Sequence, residues 1–178
     1  MRIIVYGFGP YRRYRDNVSE KILRAWPRQR GLKKIVFPVR FNKSQFTDAV
    51  QSFRPDAVLG LGQCSRGRLL RMETSAKNRR RDGGDVNPRP IVRGGAPKLF
   101  PDLRLSLRGH GRLSRDAGDY VCNYSMYVIL DFIKRQRLPV RFGFIHVPRR
   151  YDAEKALRTL RRAVLDSRMM KPWRRERI

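Results

Sequence analysis

The chain carries few side chains that could act as a nucleophile and its base, and one of each lies at the edge of a predicted element. It has only two Cys and two His residues. Cys122 lies just before an apolar-periodic stretch that predicts a helix, and His146 lies at the end of a short apolar strand. A thiol at a helix N-terminus meets unpaired backbone N–H groups and the positive end of the helix dipole, which favour the thiolate. A neighbouring imidazole could take the thiol proton and so activate the nucleophile.

A third group normally orients such an imidazole, and the chain has only 15 acidic residues to supply it. Glu73 stands out because it ends an apolar segment, Leu69-Leu70-Arg71-Met72-Glu73, among arginines. From spacing alone, commoner roles stay open for all three residues: a Cys packed in the core, a structural His and an ion-paired acid.

The elements that must position these residues alternate along the chain. We predict strands over residues 2–6, 33–39, 57–61, 69–75 and 141–147. We predict helices over residues 19–26, from Asn42 or Ser44 to Phe53, and over 124–135 and 153–166. This alternation predicts an α/β fold, a three-layer α/β/α sandwich with a largely parallel, twisted sheet. Ligands bind at the carboxyl ends of such strands, where His146 and residue pairs 7–8 and 62–63 would meet.

A chain of 178 residues with 40% hydrophobic content can bury one core, and we expect a single domain over residues 1–167. Residues 77–101 are dense in Gly, Pro and Arg and predict a long loop with room for one short strand. Residues 168–178 are expected to form a basic tail. The N-terminal residues predict a strand rather than a signal peptide, and no apolar run approaches the roughly 20 residues of a membrane span. Two Cys in this setting predict reduced thiols in the cytoplasm.

The charge is unusual, because 42 Lys and Arg residues oppose 15 acids to give a net charge of +27. Such a field attracts phosphates, nucleic acid and other anionic surfaces without a specific site. A solvated basic surface that reflects composition is the alternative. No zinc pattern, RNA-recognition aromatic motif or helix-turn-helix signature accompanies the charge. The basic clusters are spread along the chain, at Arg12-Arg13, Arg79-Arg80-Arg81, Arg149-Arg150, Arg161-Arg162 and Arg174-Arg175.

Over most of residues 1–150 the chain resembles the pyroglutamyl peptidase I (pyrrolidone-carboxylate peptidase) family of cysteine peptidases. Six segments carry this resemblance in the same order and at compatible spacing. They are Gly7-Phe8-Gly9-Pro10-Tyr11 with Asn17; Gly60-Leu61-Gly62-Gln63; Glu73 with Ala76 and Asn78; Pro90-Ile91-Val92 with Gly94-Gly95; Ala117-Gly118 with Val121-Cys122-Asn123; and Gly143-Phe144-Ile145-His146-Val147-Pro148.

The resemblance implies removal of an N-terminal pyroglutamyl residue from peptides, with no metal or cofactor. It implies that Cys122 is the nucleophile, that His146 is the general base and acid, and that Glu73 orients the imidazole. The Cys122 backbone N–H is the implied oxyanion donor. The implied substrate-binding residues form an aromatic and apolar pocket for the flat, neutral lactam ring; they are Phe8, Tyr11, Gln63, Tyr120 and Val121.

The chain also departs from the family pattern. Gly9 replaces an acidic residue, Thr74 replaces an Arg, and Tyr11 replaces a Phe. Residues 79–85 stand where the family has an Arg-Ile-Pro-Asp-Asn stretch that helps to cover its site. Two hypotheses follow: a peptidase that could prefer peptides with acidic residues after the pyroglutamate, or a catalytically weak homologue that binds RNA, a ribonucleoprotein or another polyanion. Assembly into a homo-oligomer is left open.

Overall fold

The computed structural model describes residues 1–11, 14–65, 67–83 and 85–169. Six strands form its central sheet, and two short strands form a separate ribbon. The strands are β1 (Ile3–Phe8), β2 (Leu32–Phe37), β3 (Ala57–Cys64), β4 (Leu70–Glu73), β5 (Ala76–Lys77), β6 (Lys98–Leu99), β7 (Gly111–Ser114) and β8 (Arg141–Pro148). The helices are α1 (Val18–Ala25), α2 (Ser44–Phe53), α3 (Val121–Arg135) and α4 (Ala153–Met169).

The central sheet has the order β2-β1-β3-β8-β4-β7. Its pairs are parallel except that of β4 with β8, which is antiparallel. The last strand in the sequence, β8, therefore lies in the middle of the sheet. The prediction of a largely parallel sheet is confirmed.

Two apolar cores lie on opposite faces of this sheet and account for the three layers. On one face, Ile22 of α1 and Leu160 of α4, both fully buried, pack against β3 and β8. On the other face, Phe46 of α2 and Met126 of α3 pack against β1 and the Phe144 side of β8. The predicted α/β/α sandwich is confirmed by this arrangement.

The extended segment that leads to β7 was not predicted from the sequence, although its pattern is regular. Leu103, Leu105 and Leu107 are buried and alternate with exposed residues, as in a strand with one face toward a core. Leu103 lies against Gly143 of β8, where a Cβ would come within 2.9 Å of the Leu103 carbonyl oxygen. The segment thus extends the apolar layer formed by α1 and α4.

The predicted loop over residues 77–101 is organised by one half-buried side-chain amide. The Nδ2 atom of Asn78 donates to the carbonyl oxygens of Val92 and Gly95, at 2.8 and 3.2 Å. Its Oδ1 atom accepts the backbone N–H groups of Ile91 and Val92, both at 2.9 Å. Strand β6 lies near the end of this segment and pairs with β5.

The predicted basic tail and two of the basic clusters lie largely outside the described residues. The helix α4 includes the first two residues of the predicted basic tail, and residues 170–178 lie outside the described part of the chain. The clusters at residues 12–13 and 174–175 lie outside it as well. Among the residues that are described, no helix has the length and apolar character needed to cross a membrane.

Candidate active site

Strand β8 presents His146 between two neighbouring strands. Its register partner on β3 is Gly62, and its partner on antiparallel β4 is Arg71. Residues two apart on a strand share a face, so Glu73 is a diagonal neighbour of His146 across the β4–β8 pair. The antiparallel direction of β4 thus carries an acid from a distant part of the sequence to the imidazole.

Glu73 and His146 form a buried pair. The Glu73 Oε1 and His146 Nδ1 atoms are 2.8 Å apart, and the residues are 1% and 6% exposed. With Nδ1 donating its proton to the carboxylate, Nε2 is the ring nitrogen left for the thiol of Cys122, whose sulfur lies against Gly62, the β3 partner of His146. The structure therefore brings together all three predicted catalytic residues.

Cys122 lies in the first turn of α3 rather than just before the helix. The helix begins at Val121, three residues before the predicted start, with Tyr120 as its N-cap residue. The first N–H groups of a helix have no partner within it, so this position still offers the donors and the dipole expected at a helix start. Gly62 makes room for the sulfur, because a Cβ at that position would lie 2.7 Å from the Cys122 Sγ atom.

The surroundings of His146 favour its protonated form. Burial is the largest single influence, and by itself it lowers the pKa of His146. The charge and hydrogen bonding of Cys122 and of Glu73 together outweigh burial and raise that pKa to about 9. A raised imidazole pKa beside a thiol favours transfer of the thiol proton to the ring. The edge of the Phe144 ring covers the imidazole, with ring centroids 5.0 Å apart.

A buried hydroxyl pair supports the start of α3 from the sheet side. The Ser125 Oγ atom donates to the Cys122 carbonyl oxygen at 2.8 Å and lies 2.9 Å from the Tyr6 hydroxyl oxygen. Burial, the largest influence, raises the pKa of Tyr6, so this residue stays a neutral phenol. The position of the Cys122 backbone is therefore fixed by groups that do not titrate near neutral pH.

Several aromatic rings gather beside the N-terminus of α3; we call them the aromatic cluster. Tyr120 lies 6.0 Å from Tyr11 and 5.4 Å from Phe41, measured between ring centroids. Tyr11 in turn lies 5.4 Å from Tyr14, and Phe41 lies 5.1 Å from Tyr124. The structure thus brings together Tyr11 and Tyr120, two of the predicted pocket residues.

Sequence reasoning missed Phe41 and Tyr14 as members of this cluster. Phe41 lies in the connection between β2 and α2, just beyond a strand carboxyl end, and that placement was a usable signal. Tyr14 follows the Gly7–Tyr11 segment but has no regular element to predict its direction.

The other predicted pocket residues lie elsewhere. Phe8 and Val121 are each only 2% exposed and pack in the core, Phe8 against the rings of Tyr6 and Phe46. The Gln63 side chain is engaged at the start of α1, where its Oε1 atom accepts the Val18 N–H at 3.0 Å. The side-chain carbonyl oxygen of Gln63 is therefore committed to the start of α1.

A buried asparagine next to the candidate nucleophile ties the 77–101 segment to α3. The Asn123 Oδ1 atom accepts the Lys77 N–H at 2.8 Å, and its Nδ2 atom donates to the carbonyl oxygens of Lys77 and Arg79, both at 2.8 Å. The Tyr127 hydroxyl donates to the Ala96 carbonyl oxygen at 2.7 Å. This segment is therefore held against the helix that carries Cys122.

Two of the three arginines of the basic cluster at residues 79–81 form ion pairs in this region, as does the nearby Lys77. Asp116 lies 3.0 Å from Lys77 and 3.7 Å from Arg79, and Asp119 lies 3.2 Å from Arg81. These bridges fix the turn that precedes α3, in which Gly118 has a φ of +80°.

Within residues 1–11, 14–65, 67–83 and 85–169, no group of three or more His, Cys, Asp or Glu side chains could hold a metal ion.

Comparison with known proteins settles which family this fold and site belong to. The family model for pyroglutamyl peptidase matches residues 1–156. The chain belongs to the pyroglutamyl peptidase family. This is a family of cysteine hydrolases, so the chain is an enzyme by descent, and the resemblance drawn from the six sequence segments is confirmed.

Curated relatives in this family match the sequence over most of its length. The pyrrolidone-carboxylate peptidase of Staphylococcus carnosus is 30% identical over 168 residues, which cover 83% of this chain and 78% of that protein. Pyrrolidone-carboxylate peptidase 2 of Caldanaerobacter subterraneus is 30% identical over 167 residues, with 83% and 81% covered.

Solved structures of the family share the fold. A mutant pyrrolidone carboxyl peptidase from the hyperthermophile Pyrococcus furiosus has a TM-score of 0.84 at 24% identity, over 94% of this chain and 98% of that one. The enzyme from Thermococcus litoralis has a TM-score of 0.82 at 22% identity, over 93% and 92%.

Proposed function

We propose that this pyroglutamyl peptidase family member removes an N-terminal pyroglutamyl residue from peptides by a Cys122-His146-Glu73 triad. The observation that carries the proposal is the buried Glu73–His146 contact of 2.8 Å, with the Cys122 sulfur lying against Gly62, the β3 partner of His146. The names of the curated relatives support the substrate class.

The reaction follows from the order of these groups. The Cys122 thiolate attacks the pyroglutamyl carbonyl carbon, while the imidazolium of His146 holds the former thiol proton. The C–N bond then breaks, and that proton passes to the leaving amine of the peptide. His146 next takes a proton from water, which attacks the thioester and releases pyroglutamate. Glu73 keeps the imidazole in the required tautomer and stabilises its positive charge.

The first turn of α3 supplies the donors for the oxyanion. The Cys122 N–H lies at a helix start, where backbone N–H groups have no intrahelical partner. Such donors act where negative charge develops on the carbonyl oxygen, and loss of one donor elsewhere costs about 10²–10³ in rate. The aromatic cluster flanks this turn and offers flat walls to a neutral lactam.

The cations beside the aromatic cluster favour acidic residues after the pyroglutamate. The Arg80 guanidinium lies over the Phe41 ring at 5.3 Å, and the Arg149 guanidinium lies over the Tyr14 ring at 4.6 Å. The cluster thus has positive charge at two of its rings, and the proposal places the peptide that follows the lactam beside them. Carboxylates in that peptide would be attracted at low ionic strength.

The test of the peptidase proposal is hydrolysis of a fluorogenic pyroglutamyl amide by protein freed of nucleic acid. The wild type and Cys64→Ser should turn over the amide, because Cys64 lies outside the triad, whereas Cys122→Ser should not. Cys64 is the matched control as the other cysteine of the chain. An inactive wild type whose Cys122 resists iodoacetamide would overturn the proposal and leave polyanion binding as the alternative.

A further inference from the structure

A second concave site lies between α4 and the segment that leads into β7, and it uses no residue of the proposed triad or of the aromatic cluster. We call it the basic cleft. Its volume is about 320 Å³, and it is lined by Ser106, Leu107, Arg108, His110, Lys155, Arg158, Thr159 and Arg162. That volume lies within the range of pockets that hold small molecules, about 300–1,000 Å³.

One wall of the basic cleft is a polar stripe along α4. Lys155, Arg158, Thr159 and Arg162 occupy positions i, i+3, i+4 and i+7 of the helix, so their side chains share one face. The opposite face is buried against the sheet through Ala156, Leu160 and Ala163. Packing therefore fixes the stripe toward the cleft, and its Cβ atoms are about 5–6 Å apart.

The other wall brings a further cation toward this stripe. Arg108 and Gly109 both have positive φ, at +45° and +78°. A positive φ is uncommon for a residue with a side chain and needs support from its surroundings. The support here is an ion pair of 2.9 Å between Arg108 and Asp166 of α4, which holds the tip of the turn against the helix.

The charges in the basic cleft are not balanced by its own lining. Four lining residues are cations and none is an acid. Arg108 and Arg158 have exposed carboxylate partners outside the lining, Asp166 at 2.9 Å and Glu154 at 3.5 Å. Lys155 and Arg162 form no ion pair with any residue that the structure describes. Like charges three or four residues apart on a helix repel each other, so an anion bound between them would relieve a cost of the empty cleft.

We propose that the basic cleft binds contiguous phosphate groups, either of a nucleotide or inorganic polyphosphate or of a nucleic-acid strand. Guanidinium groups match phosphate oxygens with two parallel hydrogen bonds, and an ammonium adds a point charge. The hydroxyls of Ser106 and Thr159 add neutral donors between the cations. A row of cations at helical spacing suits a chain of phosphates better than a single carboxylate. The proposal does not rest on the peptidase activity.

The test compares two double variants that lose the same charge. Arg158→Ala with Arg162→Ala removes both arginines of the polar stripe. Arg28→Ala with Arg161→Ala removes two exposed arginines that lie outside the basic cleft. Binding of tripolyphosphate, a nucleoside triphosphate and a labelled single-stranded oligonucleotide is measured by calorimetry or fluorescence anisotropy. The cleft variant should bind about tenfold more weakly, and the control should match the wild type. For the oligonucleotide, the slope of log K against log salt should fall by about 2 in the cleft variant.

The three ligands distinguish the sources of phosphate. Binding of the small polyphosphates, lost in the cleft variant alone, supports a nucleotide or polyphosphate ligand. Binding of the oligonucleotide alone, with the same dependence on the cleft, supports a nucleic-acid strand. Equal losses in both double variants would mean attraction by the overall charge and would overturn the proposal, as would binding of none of the three. Thermal unfolding of both variants checks that each is folded.

Discussion

The imidazole of His146 lies between two groups that both favour its positive charge. The carboxylate of Glu73 is buried with it, and its Oε2 atom has no hydrogen-bond partner among the described residues. Removal of the Glu73 charge leaves Cys122 as the other group that raises the pKa of the imidazole. The pair of Glu73 and His146 therefore sets the pH range in which the thiolate and imidazolium coexist.

Glu73→Gln should lower kcat for a pyroglutamyl amide by about 10²-fold or more, because the imidazolium loses its charged partner. The pKa of His146 is raised to about 9 in the native protein, so the alkaline limb of the kcat profile should lie near that pH. In Glu73→Gln this limb should move to lower pH. Glu20→Gln, whose carboxylate pairs with exposed Arg24, is the control and should keep the native profile. An unmoved limb in Glu73→Gln would contradict the assigned role.

The raised pKa of His146 also sets the direction in which the free energy of unfolding changes with pH. The ordinary pKa of His is 6.5, and the folded value of about 9 lies above it. The stabilisation from protonated His146 is therefore complete below pH about 6.5 and is lost as the pH rises through about 9. Urea denaturation across this range, for wild type and Glu73→Gln, should show a smaller loss in the variant.

How far the site could be predicted depends on the kind of residue. Cys122, His146 and Glu73 each sit in a recognisable sequence segment, and the structure brings them together. Gln63 was predicted to bind the substrate, but whether its side chain meets a ligand or the Val18 N–H is decided by where α1 begins. Phe8 lies at a strand end as expected, but the packing of α2 covers it.

At the scale of elements, the 77–101 segment and α3 form one unit. The Asn123 side chain is buried and satisfies three backbone groups of Lys77 and Arg79. Asn123, the residue after Cys122, thus ties the first turn of α3 to the end of β5, which follows Glu73 in the sequence. The segment was predicted as a loop because hydrogen bonds from single asparagines leave no periodic pattern.

Asn123→Ala should destabilise the protein by about 1–3 kcal/mol, since it leaves buried backbone groups without partners. It should also expose the 77–101 segment to proteolysis under native conditions. Urea denaturation measures the first effect, and limited trypsin digestion with mass mapping measures the second. Asn42→Ala removes the acceptor for Ser44 at the start of α2 and is the control. It should cost about 1 kcal/mol without new cleavage in the segment. Equal cleavage in both variants would contradict the claim that Asn123 holds the 77–101 segment against α3.

The strand and helix pattern was predicted well where apolar residues alternate or repeat over a long stretch, as in β1, β3 and α4. It failed for β7, which has two exposed residues among its four and pairs at the sheet edge. Leu103, Leu105 and Leu107 carried a usable period, but arginines between them resemble a solvated loop. The predicted start of α3 was three residues too late, because the first residues of the helix belong to the candidate active site and do not continue the apolar period.

At the scale of the whole molecule, a net charge of +27 surrounds a site that we propose handles peptides. Some cations are paired, as Arg81 is with Asp119. Others stand over aromatic rings beside the site, as Arg80 and Arg149 do. These two cations add a positive field beside the site, and its reach depends on salt. The cytoplasmic location stays a prediction from the sequence, and assembly into a homo-oligomer stays open.

Substrates with Glu after the pyroglutamate should show a kcat/KM about tenfold above those with Lys at low salt. The ratio should shrink as the Debye length falls from about 30 Å at 0.01 M to about 8 Å at 0.15 M salt. Arg80→Gln with Arg149→Gln should compress the ratio at low salt. Arg104→Gln with Arg161→Gln, two exposed arginines elsewhere, should leave it largely intact. A ratio near one for the wild type at 0.01 M salt would refute the preference.

The central place of β8 has a consequence for biosynthesis. Before residues 141–148 leave the ribosome, β2-β1-β3 and β4-β7 are two separate sheets with nothing between them. Glu73 and Cys122 are then linked only through the Asn123 contacts with Lys77 and Arg79, and the proposed base has not yet been translated. A nascent chain would therefore be unable to cleave its neighbours, and hydrolysis would begin only when the last strand is inserted.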